Sequence, residues 1–134
     1  MSVSYTIDGR ILTLTTVGRS SVEEIVAAVN QVLADPRFNE AMVVIWDTRQ
    51  SASLGDRSTE ELRRIGESTY SLADKLPNYS AVIANNDLYY GLMRMVVTFT
   101  EKTNPKTEFF RTEEDAMAWV QEILAQTDED GDAV

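Results

Sequence analysis

Asp47, Arg49 and Arg94 are the polar residues whose types could do chemistry together. A carboxylate beside two guanidiniums can line a ligand or partner crevice, the arginines taking a carboxylate or phosphate through paired hydrogen bonds. The same three can instead form a structural ion pair that ties a strand to a helix, because ion-pair networks perturb charged groups without making a site. Both readings stay open on sequence alone. Around these residues much chemistry is excluded. The chain has no cysteine and no histidine. That removes disulfides, thiolate nucleophiles, Cys/His zinc sites and Ser-His-Asp triads. The acidic pairs Glu23/Glu24, Glu60/Glu61 and Glu113/Glu114 fall where helices begin. There they complement the helix dipole and face water, whereas acid–base catalysis needs a desolvated carboxylate. No catalytic residue, metal ligand or cofactor is expected.

A strand must hold Asp47 and Arg49. Met42 to Trp46 is an unbroken apolar run inside Ala41–Arg49. It is short and β-branched, which reads as a strand buried on both faces. Its carboxyl end, where open α/β sheets place functional groups, carries Asp47 and Arg49. Before it, Val3, Tyr5 and Ile7 alternate with Ser4 and Thr6 in a half-buried strand. Asp8-Gly9 is a two-residue hairpin signal, and a return strand runs from Arg10 to Val17. Ser20-Ser21-Val22-Glu23-Glu24 offers capping-box spacing in either register. Val22, Ile25, Val26, Val29 and Leu33 then give the stripe of a first helix, ended by Asp35-Pro36.

After the central strand, Ser58-Thr59-Glu60-Glu61 opens a second helix that Pro77 closes. Tyr79–Ala84 is a further buried strand. A third helix, roughly Leu88 to Lys102, carries Arg94 and ends at Asn104-Pro105. Thr107–Arg111 is the last strand. Thr112 caps a final helix with Ala116, Trp119, Val120, Ile123 and Leu124 inward. The expected fold is α/β: a mostly parallel five-stranded sheet with four helices and an N-terminal hairpin at its edge. Right-handed crossovers between neighbouring strands would put the helices on one face, the far side partly open to water. The domain spans residues 1–126, and residues 127–134 form an acidic tail without core residues, expected to be disordered.

The chain resembles the SpoIIAA-like proteins, also described as STAS/SEC14-domain proteins. The resemblance lies in Asp35-Pro36-Arg37-Phe38, Ile45-Trp46-Asp47-Thr48-Arg49, Tyr90-Gly91-Leu92-Met93-Arg94-Met95 and Phe110-Arg111-Thr112-Glu113-Glu114-Asp115-Ala116-Met117-Ala118-Trp119-Val120. Together these cover nearly the whole domain in order. The resemblance implies a β-α superhelical fold shared with anti-sigma-factor antagonists and the lipid-exchange SEC14 class; it does not imply an enzyme. Two departures matter. Anti-sigma-factor antagonists carry an Asp-Ser-Ser-Gly-like turn whose serine is phosphorylated, where this chain has Ser51-Ala52-Ser53-Leu54-Gly55-Asp56-Arg57-Ser58. SEC14-type carriers close their pocket with extra helices that a chain of 134 residues does not supply.

The expected function is therefore a non-enzymatic, STAS-like interaction or regulatory module. The alternative is a small apolar-ligand or lipid-binding protein of SEC14-like ancestry. A formal net charge of −10 repels phosphate backbones and anionic membranes, so neither nucleic acid nor membrane insertion is expected. A cytoplasmic location follows as the expectation. The third helix has a second apolar stripe, Tyr89, Met93 and Val97, at i and i+4 spacing. A helix covering one side of a sheet needs only one stripe. The surplus one predicts an interaction surface and a homodimer through this helix.

Overall fold

The computed structural model describes residues 3–19, 21–39, 41–51, 58, 60, 61, 63, 64, 67, 79–84 and 106–132. The elements are β1 (Val3–Asp8), β2 (Ile11–Gly18), α1 (Val22–Ala34), β3 (Val43–Ser51), β4 (Tyr79–Ile83), β5 (Lys106–Phe110) and α2 (Glu113–Asp132). Residues 60, 61, 63, 64 and 67 are helical too. They belong to the second helix expected from Ser58. Of the four helices expected, α1 and α2 are therefore the two described as whole elements. The third, with Arg94, Tyr89, Met93 and Val97, lies outside the described residues.

The five strands lie in the order β1-β2-β3-β4-β5. β1 and β2 are antiparallel, and the next three neighbouring pairs are parallel, so the sheet is mixed. The hairpin turns one residue later than Asp8-Gly9 suggests. Asp8 pairs with Ile11, so the loop is Gly9-Arg10, with Gly9 at φ 60°. A primed two-residue turn needs that left-handed geometry at its first position, where glycine pays no Cβ penalty. The resulting register sets Tyr5 opposite Leu14 and Ile7 opposite Leu12. One face of the hairpin is thereby apolar.

Successive strand residues point to opposite faces, and β3 uses both. Val44 joins Val3, Leu12, Leu14, Ala28, Val32 and Met42 in a core beneath α1. Val43 and Ile45 join Ala81, Ile83, Ala116, Val120 and Ile123 in a second core beneath α2. This corrects the expectation of helices on one face: α1 and α2 cover opposite faces. The reason is local. A continuous apolar run asks for cover on both sides, and one layer of helices cannot supply it. α1 turns Ile25, Ala28 and Val32 to the sheet, while Val26 and Leu33 are half-buried. Ser21 is its N-cap. The Glu24 amide donates to Ser21 Oγ at 3.1 Å and the Ser21 amide to Glu24 Oε1 at 3.4 Å.

α2 keeps the predicted inner face, with Ala116, Val120 and Ile123 buried. Its helical backbone continues to Asp132, through residues expected to form a disordered tail. No proline intervenes between Thr112 and Val134 to end it.

Candidate functional site

The candidate site lies at the carboxyl end of the parallel strands. β3 pairs Thr15 with Asp47 but Val17 with Gln50. Two residues of β3, Thr48 and Arg49, therefore oppose Thr16 alone. This is a β-bulge, a device that re-aims side chains and recurs beside functional sites. Past it, Thr16 and Ser51 share a hydroxyl–hydroxyl hydrogen bond, and Ser51 Oγ also donates to the Thr16 carbonyl at 3.3 Å. Thr48 is buried, and its hydroxyl donates to the Ile83 carbonyl at 2.6 Å. The bulge thus ties β3 sideways to both neighbours.

Asp47 and Arg49 come together as the sequence suggested, though as each other's partners. The Arg49 guanidinium donates through Nε to Asp47 Oδ1 at 2.9 Å and through a terminal nitrogen to Oδ2 at 2.7 Å. The Arg49 amide adds a third bond to Oδ1 at 3.1 Å. The guanidinium hydrogen bonds, with the adjoining positive charge and the amide, hold the Asp47 carboxyl below its ordinary range against the opposing effect of burial. The same carboxylate raises Arg49. A terminal nitrogen of Arg49 also lies 3.4 Å from Glu113 Oε2, on the first residue of α2. Arg94, the third residue of the predicted set, lies outside the described residues, as do Tyr89, Met93 and Val97.

Glu113 reads in the sequence as a helix-start carboxylate. Its approach to Arg49 comes from the β5–α2 connection, where Thr112 caps α2 by accepting the Asp115 amide at 3.2 Å. Spacing alone gives no sign of a contact across sixty-four positions. On the other side of the rim, Arg19 donates to both oxygens of Glu61 at 2.8 and 2.9 Å. Arg64 reaches Glu23 at 2.7 Å, and Ser58 Oγ accepts the Glu61 amide at 3.1 Å. These contacts join the segment starting at Ser58 to the β2–α1 connection. Between them, Val17 is the large apolar side chain most open to water among the described residues, 44% exposed.

At the opposite end of the sheet, Asp35-Pro36-Arg37 makes a second cluster. Tyr5 Oη donates to Asp35 Oδ2 at 2.9 Å, and Arg37 grips both Asp35 oxygens at 3.1 and 2.8 Å. The Arg37 guanidinium holds Asp35 well below the ordinary carboxylate range. The hydrogen bond to Asp35 raises the Tyr5 phenol. This cluster fastens the α1–β3 connection to β1 and has the form of a structural clamp.

Among the described residues, no group of three or more acidic side chains is placed to hold a metal ion. No helix there is long and apolar enough to cross a membrane. No protein-family model matches the chain, and no curated protein matches it. Solved structures do. An uncharacterized protein from the DUF3478 family with a SpoIIAA-like fold, from Shewanella loihica PV-4, is similar with a TM-score of 0.59 at 19% identity, over 88% of this chain and 91% of that one. An anti-sigma factor antagonist from Mycobacterium paratuberculosis is similar with a TM-score of 0.58 at 16% identity, over 89% and 92%. At such identities the likeness is one of architecture: the chain has a SpoIIAA-like fold.

Proposed function

We propose that the protein is a non-enzymatic interaction or regulatory module that meets a protein partner through the rim at the carboxyl end of its sheet. The observation that carries this reading is the state of Asp47. Its carboxyl is held below the ordinary range by Arg49, so near neutral pH it has no proton to give and is a poor base. Arg49 in turn is engaged by Asp47 and Glu113. The pair shapes a surface instead of performing proton transfer. The anti-sigma factor antagonist among the structural neighbours supports a regulatory role for this architecture. The exposed Val17 beside Arg19 and Ser51 supplies an apolar centre with a polar rim, the composition of a transient protein contact.

The test places a photo-crosslinking residue at Val17 and, as control, at the exposed Glu122 on α2. A discrete protein adduct from position 17, lost with Arg49→Ala or Arg19→Glu, is the expected result. Native mass spectrometry of the purified chain covers the alternative of a small apolar ligand. A retained small molecule at one per chain, with no adduct from position 17, would overturn the interaction reading in favour of ligand binding.

A further inference from the structure

We propose that the outer edge of β1 pairs antiparallel with β1 of a second copy, joining two sheets into one of ten strands. β1 and β5 are the two ends of the strand order. The end strands differ. β5 carries Lys106 and the exposed Glu108, and charges on an edge strand block pairing with another chain. β1 carries no charge, proline or glycine from Val3 to Ile7. It pairs with β2 over six consecutive residues without a bulge, so its outer edge is straight. Among the described residues nothing pairs with that edge.

A second copy fits better than an unrelated strand, because β1 is self-complementary. With the two-fold axis at Tyr5, Val3 faces the partner's Ile7, Ser4 faces the partner's Thr6, and the two Tyr5 side chains meet. This register keeps apolar residues opposite apolar ones on the α1 side and hydroxyls opposite hydroxyls on the other. Such a contact is closed by its own symmetry and stops at two chains. Tyr5 and Ile7 pack on the α1 core yet stay half-exposed, and a neighbouring strand would cover their open flanks. The charges beside this edge, Asp35 and Arg37, neutralise each other. Asp8, the charged last residue of β1, lies outside the paired stretch 3–7, so that stretch brings uncharged residues together although each chain carries −10. Long-range repulsion remains, so association should strengthen as salt is raised.

Sedimentation at moderate salt and high micromolar concentration tests this, independently of the rim. The wild type should be a dimer. Ser4→Glu with Thr6→Glu sets two like-charged pairs face to face across the seam and should weaken association roughly tenfold or more. Mixed with a Ser4→Lys, Thr6→Lys chain, it should form a heterodimer in preference to either homodimer. A monomeric wild type overturns the proposal, as does a Glu variant that dimerises like wild type. So does a dimer abolished by Met93→Lys with Val97→Glu and untouched by the β1 changes. Should circular dichroism show a β1 variant unfolded, Ser4→Cys and Thr6→Cys chains with different tags decide. The chain has no other cysteine. A mixed disulfide in excess over either self-pair is expected, and its absence overturns the proposal.

Discussion

Arg49 lies two positions from the carboxylate it holds, and this spacing makes Asp47 a measurable group. The side chain of Asp47 is 14% exposed and that of Arg49 34%. Asp47→Asn should cost about 1–2 kcal/mol at neutral pH, a charged hydrogen bond discounted for the water around the guanidinium. The sign with pH follows from the folded carboxyl lying below its ordinary 3.8. Its contribution is fully present above that value and is lost as pH falls through the depressed one. Stability profiles of wild type and Asp47→Asn should therefore converge in acid, and parallel profiles would refute the pairing. Glu113→Gln should change stability by less than ~0.5 kcal/mol, because the contact is long and Glu113 is exposed. Thr48→Val keeps the shape but strips the partner from the buried Ile83 carbonyl. It should cost about 1–3 kcal/mol in denaturant unfolding.

Element by element, the sequence was legible where local chemistry decides. Ser21→Ala removes the side-chain arm of the α1 capping box, the Oγ that accepts the Glu24 amide, and should cost about 1 kcal/mol, read as a midpoint lowered by about 3–5 °C. That box was visible as Ser-x-x-Glu spacing, although two serines offered themselves and only the fold selects Ser21. All five strands stand close to where alternation and apolar runs put them. The hairpin turn slipped by one residue because Asp8-Gly9 and Gly9-Arg10 both contain the glycine that a primed turn requires. Ile25 and Val29 of the expected α1 stripe are packed inward, and Ala28 and Val32 join them while Val26 and Leu33 stay half-buried. Asp47 and Arg49 were legible as polar residues at the carboxyl end of a strand because they follow a buried run. Their pairing with each other was not, since a helix residue such as Arg94 is an equally good partner until the bulge is seen. The pairs Arg19–Glu61 and Arg49–Glu113 depend on tertiary approach and left no mark in spacing.

For the whole molecule, the contrast between predicted and observed layering matters most. Among the described side chains of α2, the last in a buried core is Ile123, with Leu124 packed against it. Deleting residues 127–134 is therefore expected to move the thermal midpoint by no more than about two degrees, although α2 is helical to Asp132. A larger shift would mean that the acidic end is docked. The same deletion removes four acidic residues, Asp128, Glu129, Asp130 and Asp132. It should therefore relieve self-repulsion between chains at low salt.

β3 sends buried side chains into both cores, Val44 to one and Val43 with Ile45 to the other. If α1 lifts away, α2 still seals this strand, and the reverse holds. Partial opening of either side thus leaves the β3 amides protected from solvent. In native-state hydrogen exchange the amides of Val43 to Trp46 should then exchange only through global unfolding, with a denaturant dependence equal to that of the whole domain. Those of the last turns of α2 should exchange earlier through smaller openings. The strand that bears Asp47 and Arg49 would be the part of the molecule that fluctuates least, a rigid mount for the surface at its carboxyl end.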